Sequence, residues 1–121
     1  MKRVLTIGID PDLVDLSKWP GLTPQKVRDG IAADCARLKE LGYNTTSCFV
    51  DLGETAEIVA TRALSAEQYD CVLIGAGIRK AEEHFLFFEK LVNLVRRHAP
   101  TAIICFNTGP SDTGAAIQRW L

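Results

Sequence analysis

The 121-residue sequence has no uninterrupted apolar stretch near the roughly 18 residues that a membrane-spanning helix needs. No membrane partner is therefore expected. Neither charge sign is in excess: 14 Lys and Arg stand against 15 Asp and Glu, interspersed along the chain. No basic stripe with interleaved aromatics appears, and Arg79-Lys80 and Arg96-Arg97-His98 read as solvated helix ends. No nucleic-acid partner is expected either. Cysteine is limited to Cys35, Cys48, Cys71 and Cys105, with no C-x-x-C pair and no zinc-ligand cluster. A Cys-based phosphatase loop fails as well, because the residue six places after Cys105 is Ser111 and not arginine. A Walker loop and a nucleophile elbow are also missing. The apolar run after Met1-Lys2-Arg3 is too short for a secretory signal and has no small-residue cleavage site, so a cytoplasmic location is expected.

What the sequence does contain is one supersecondary unit repeated. Four short apolar runs, Val4–Asp10, Tyr43–Asp51, Tyr69–Gly77 and Thr101–Asn107, alternate with helical patterns. The first, third and fourth are nearly continuously apolar, as strands covered on both faces are. The second is rich in Thr and Ser and reads as an edge. Helix one is the clearest: Thr23 caps it, Pro24 opens it, Gly42 closes it, and Val27, Ile31, Cys35, Leu38 and Leu41 form its stripe. Further helices are expected over Glu54–Leu64 (inner residues Ile58, Val59, Ala60, Leu64), Ala81–His98 (Phe85, Phe88, Leu91 or Val92, Val95) and Ser111–Leu121. His84 and His98, near the two ends of the third of these, read as structural or solvated. The four cysteines read as small buried hydrophobes.

This βαβα rhythm predicts a single α/β domain over residues 1–121. Its architecture is a three-layer αβα sandwich around a four-stranded parallel sheet of order 2-1-3-4, flavodoxin-like or Rossmann-like. The fourth strand then lies at an edge although it reads as buried. A homodimer through that edge and the last helix, using Phe106 or Trp120, would cover it.

In such a sheet the ligand crevice opens beyond the carboxyl ends of the strands, where the strand order reverses. The residues leaving the strands there are Asp10 and Asp12, Gly75, Gly77 and Arg79 with Lys80, and Asn107, Thr108, Gly109, Ser111 and Asp112. Gly75-Ala76-Gly77 and the run 107–114 precede helices, so their free N–H groups suit a phosphate or carboxylate. The residues 10–23 form a long βα connection, a frequent position for a functional loop, with Leu13, Leu16 and Trp19 as candidate plugs into the domain edge. The leading expectation is a small domain that binds an anionic metabolite, with Arg79 and Lys80 supplying charge. No metal-ligand set, cofactor or reaction is assigned.

Three local resemblances compete with that reading. CVLIGAGIRK is similar to the strand–turn–helix of flavin and nicotinamide enzymes, although Lys80 stands where the third glycine would be. TIGIDPDLV resembles the opening motif of haloacid-dehalogenase-type phosphatases, which implies Asp10 as nucleophile, Asp12 as acid/base and a Mg²⁺ cofactor. In size, and in Asp10, Asp12 and Thr108, the chain resembles bacterial receiver modules. Gly75-Ala76 occupies the phosphoacceptor position, which implies a protein-interaction module that is not phosphorylated.

Overall fold

The computed structural model describes residues 1–17, 19–109 and 111–121. Four parallel strands, β1 (Lys2–Ile9), β2 (Tyr43–Val50), β3 (Cys71–Ile74) and β4 (Ile103–Phe106), form one sheet of order β2-β1-β3-β4. The expected order and the expected edge position of β2 are both present. The helices are α1 (Pro24–Glu40), α2 (Ala56–Ala66), α3 (Ala76–Arg79), α4 (Phe85–His98) and α5 (Thr113–Gln118). Short 3₁₀ turns at Pro11–Leu13 and Glu82–His84 break the β1–α1 and α3–α4 connections.

Period-two alternation sorts the strand residues onto two faces. Leu5, Ile7, Val72 and Ile74 point to one side and pack under α2, α3 and α4, against Ala60, Leu64, Ile78, Leu91 and Val95. Val4, Cys71, Leu73 and Cys105 point to the other side, against Leu38 of α1 and Ala116 and Ile117 of α5. The three-layer arrangement follows. The second core is much the smaller, because β2 gives that side Thr45 and Ser47, and Thr6 Oγ1 contacts Ser47 Oγ at 3.4 Å. The buried Thr45 Oγ1 finds no partner.

Several expected boundaries move. The third strand stops at Ile74 and not at Gly77, because the chain turns at Gly75 and begins α3 at Ala76. The helix expected from Ala81 starts at Phe85, behind the 3₁₀ turn. The Glu54–Leu64 helix shifts to Ala56–Ala66, and Ala56 replaces Ile58 and Val59 on its inner face. Leu41 and Phe85 lie at helix ends and are exposed rather than part of their stripes. Leu13 and Trp19, expected to plug the domain edge, are exposed too, whereas Pro11 is buried.

Candidate functional site

The carboxyl ends of β1, β3 and β4 carry two separate polar networks. The first begins where β1 ends. Asp10 N–H donates to Val50 O at 2.9 Å, so the chain leaves the sheet beside β2. Pro11 then forces a turn in which Asp10 Oδ1 accepts the Asp12 N–H at 2.9 Å. Arg28, one turn into α1, reaches back across the loop. Its Nη2 lies 2.9 Å from both Asp10 Oδ1 and Asp12 Oδ2, and its Nη1 donates to Asp12 Oδ1 at 3.2 Å. The guanidinium grips Asp12 with both nitrogens, a geometry that a carboxylate matches well. That bond holds the Asp12 carboxyl below its ordinary range and raises Arg28 above its own. A cation from α1 thus offsets the charge of these two carboxylates. Arg28 was legible only as a polar residue off the apolar stripe, since nothing local pairs it with residues 16 and 18 places upstream.

The second network joins β3 to β4. Gly75 has ordinary extended backbone, with φ −68° and ψ 150°, so a positive φ does not explain the glycine. A Cβ there would meet Ile7 O at 3.4 Å and Gly8 Cα at 3.8 Å, ordinary contact distances, so close approach does not require the glycine either. Gly77 and Gly109 have open space around the missing Cβ. Asn107, 8% exposed, follows β4 and caps α3, its Oδ1 accepting the Ala76 N–H at 2.8 Å and its Nδ2 donating to Thr113 Oγ1 at 3.1 Å. Arg79 Nη2 donates to Asn107 O at 2.9 Å, and the guanidinium carbon lies 5.8 Å from the centre of the Phe106 ring. Lys80 Nζ donates to Thr108 O at 2.6 Å. Asp112 turns back on its own loop, its Oδ1 accepting the N–H groups of Thr108 and Gly109 at 3.0 and 3.1 Å. Its Oδ2 takes the Thr108 hydroxyl at 2.6 Å, and these bonds lower the Asp112 pKa.

The residues expected to meet at the rim therefore divide. Asp10 and Asp12 are joined through Arg28, and Gly75, Arg79, Asn107, Thr108 and Gly109 belong to the α3–β4 network. Gly77 lies inside α3, not in a loop before a helix. Ser111 stands apart, lining a depression of about 270 Å³ between α1 and α5 with Asp34, Arg37 and Gly114. Pro110 in the same loop, and Lys18 in the β1–α1 connection, lie outside the described residues. The donors expected to hold an anion are largely engaged inside the protein: the N–H groups of Ala76, Thr108 and Gly109, and the side chains of Arg79 and Lys80. Arg79 Nε is the exception, buried with no partner. Among the described residues, no group of three or more His, Cys, Asp or Glu side chains converges as a metal ion would need.

Sequence reading missed one feature. A cavity of about 480 Å³ opens beside the rim between the β2–α2 loop and the start of α4, lined by Leu52, Gly53, Glu83, His84, Leu86, Phe87 and Lys90. Leu52 and Leu86 are 46% and 75% exposed in its lining, and Phe85, next to Leu86 in the chain, is 58% exposed. The only signal was the run of apolar residues at the start of α4, where Phe85 and Phe88 read as the buried stripe and left Leu86 and Phe87 off it. No protein-family model and no curated protein matches the chain.

Proposed function

We propose that this protein is a receiver-like interaction module, not phosphorylated, that takes an apolar-faced segment of a partner protein at the carboxyl rim of its sheet. The observation that carries this reading is the cleft by α4. Its apolar side chains are unusually exposed, while the polar groups of the neighbouring crevice already bond to one another. The exposed Leu52 and Leu86 beside the half-buried Phe87, with charged neighbours Glu83 and Lys90, suit a segment with an apolar face and flanking charges. Gly75 at the phosphoacceptor position and Arg28 on the two carboxylates fit a module that signals by contact rather than by phosphate chemistry.

The test is selection of binders from a displayed random peptide library, followed by fluorescence anisotropy on synthetic copies. Peptides with apolar anchors should bind, and Leu86→Asp should weaken them at least tenfold. Gly77→Ala should leave their affinity unchanged. Failure to select any binder sensitive to Leu86→Asp overturns the reading.

One observation favours the small-anion reading as second choice. The buried Arg79 Nε lacks a partner, and a phosphate or carboxylate oxygen would complete the guanidinium's bonds. A thermal-shift screen with phosphates, nucleotides and small carboxylates separates the two. Stabilisation lost in Arg79→Ala supports the anion.

Self-association through β4 is proposed on a narrower basis than expected. Phe106 is not available to a partner, because it packs inward on Phe88 at 5.6 Å. Ile103 N–H points to β3, so Ile104 turns its peptide group to the open edge, beside the exposed Ile103; Trp120 is also exposed. Light scattering at micromolar concentration tests it, and a monomer there ends it.

A further inference from the structure

We propose that Cys71 and Cys105 are an oxidisable dithiol, which a hydroperoxide joins into a disulfide that ties edge strand β4 to β3. Their sulfurs touch at 3.2 Å, on the same face of adjacent strands. The other two cysteines are placed differently. Cys35 contacts Ser47 Oγ at 3.8 Å, and Cys48 is buried in the core on the opposite side of the sheet. A disulfide of about 2.05 Å needs about 1 Å of further approach.

The register shows what must move. Cys71 is opposite Ile103 and Leu73 is opposite Cys105, so the cysteines are diagonal neighbours offset by two residues. Diagonal Cα atoms lie about 7–8 Å apart, at the edge of what a disulfide spans without backbone movement. β4 is the strand that can yield, since its four residues pair with β3 alone. The resulting bond is strained and readily reduced. Both thiols lie beneath α5, a helix of six residues that contributes Ala116 and Ile117 to their cover. Local opening of so short an element admits a small oxidant.

The surroundings also set the order of events. Either thiol can donate to the other across this contact; with Cys71 as the donor, its bond and the charge of Arg119 favour a thiolate at Cys105, which then ionises first. The Cys105 thiolate attacks one peroxide oxygen. An S–O bond forms, the O–O bond breaks, and hydroxide leaves to become water with the proton that Cys105 released. The Cys71 sulfur then attacks the Cys105 sulfur. An S–S bond forms, the S–O bond breaks, and the departing hydroxide takes the Cys71 proton as a second water. Two thiols are oxidised and one peroxide is reduced to two waters.

The experiment uses the full chain carrying Cys35→Ser and Cys48→Ala, so that only this pair remains, with circular dichroism to show that it folds. It is exposed to hydrogen peroxide in native buffer, then unfolded, alkylated with N-ethylmaleimide and weighed intact. The expected product is monomeric, lighter by two hydrogens and not alkylated. Its digest should hold one peptide linking Cys71 to Cys105, and dithiothreitol should restore both thiols. Two alkylated thiols, or sulfinic acid without a link, overturns the proposal. Should that variant fail to fold, peptide mapping of the wild-type chain decides. A Cys71–Cys105 link supports the proposal, whereas a link to Cys35 or Cys48, a link between two chains, or no link overturns it.

Discussion

Asn107 Oδ1 accepts the backbone N–H of Ala76 at 2.8 Å, so the residue that follows β4 supplies the cap that starts α3. The same side chain donates to Thr113 Oγ1 at the start of α5. One nearly buried amide thus links two helices on opposite faces of the sheet. Replacing it by alanine leaves the Ala76 N–H without its acceptor, and the cost of such a lost cap is about 1–2 kcal/mol. Urea unfolding of Asn107→Ala should show that loss, and Asn107→Asp, which keeps an acceptor, should recover part of it. A midpoint unchanged in Asn107→Ala would show that this bond does not hold the two elements together.

The Asp12 carboxyl is held below its ordinary value by the Arg28 bond, and Asp112 by its bonds to Thr108 and Gly109. A folded-state pKa below the unfolded value gives stability that is present above the unfolded pKa. That stability disappears as pH falls through the folded value. Stability should therefore hold from neutral pH down to the ordinary aspartate value of 3.8 and fall below it. In Arg28→Ala and in Asp112→Asn this acid limb should flatten. Urea midpoints between neutral pH and the acid limb measure it, and identical limbs in all three proteins would contradict the assignment.

Gly30 in α1 and Gly77 in α3 both leave open space where a Cβ would sit, and neither has a positive φ. Alanine is the better helix former at such sites, so Gly30→Ala should stabilise the protein by about 0.5–1 kcal/mol. Gly77→Ala should do the same to a smaller extent, because its helix is four residues long. Calorimetry reads both. A destabilised Gly30→Ala would mean that α1 packs closer at that point than its open flank indicates.

Leu91 is fully buried beneath the sheet, whereas Leu41, expected on the apolar stripe of α1, lies just past its end and is 58% exposed. Leu91→Ala should cost about 2–5 kcal/mol and Leu41→Ala under about 0.5 kcal/mol. Denaturant titration of the pair checks the burial directly. Equal losses would place Leu41 in a core.

These contrasts show what local pattern carries. The strand runs around Val4 and Val72 are legible because a central parallel strand is apolar on both faces, and the run around Ile104 is as apolar although β4 lies at an edge; right-handed crossovers then fix the order. Thr23 and Pro24 mark the start of α1 because capping is local chemistry, and the Thr23 hydroxyl does accept the Lys26 N–H at 3.2 Å. Phe85 and Ile58 are misread because periodicity counts apolar spacing without knowing where the sheet ends. The candidate site was legible as an address along one rim, but not as bonding. Asp112 turning back on Thr108, and Arg28 meeting Asp10, are contacts that follow only from the folded path of the chain.

The imbalance between the two sides of the sheet also has a dynamic meaning. With Leu38 its only fully buried residue and threonines and serines beneath it, α1 sits on a thin polar seam, and α5 adds two apolar anchors. Deuterium uptake should thus run unevenly through the molecule: the amides of α1 and α5 label early, while β3 and α4 hold their protons until the whole chain unravels.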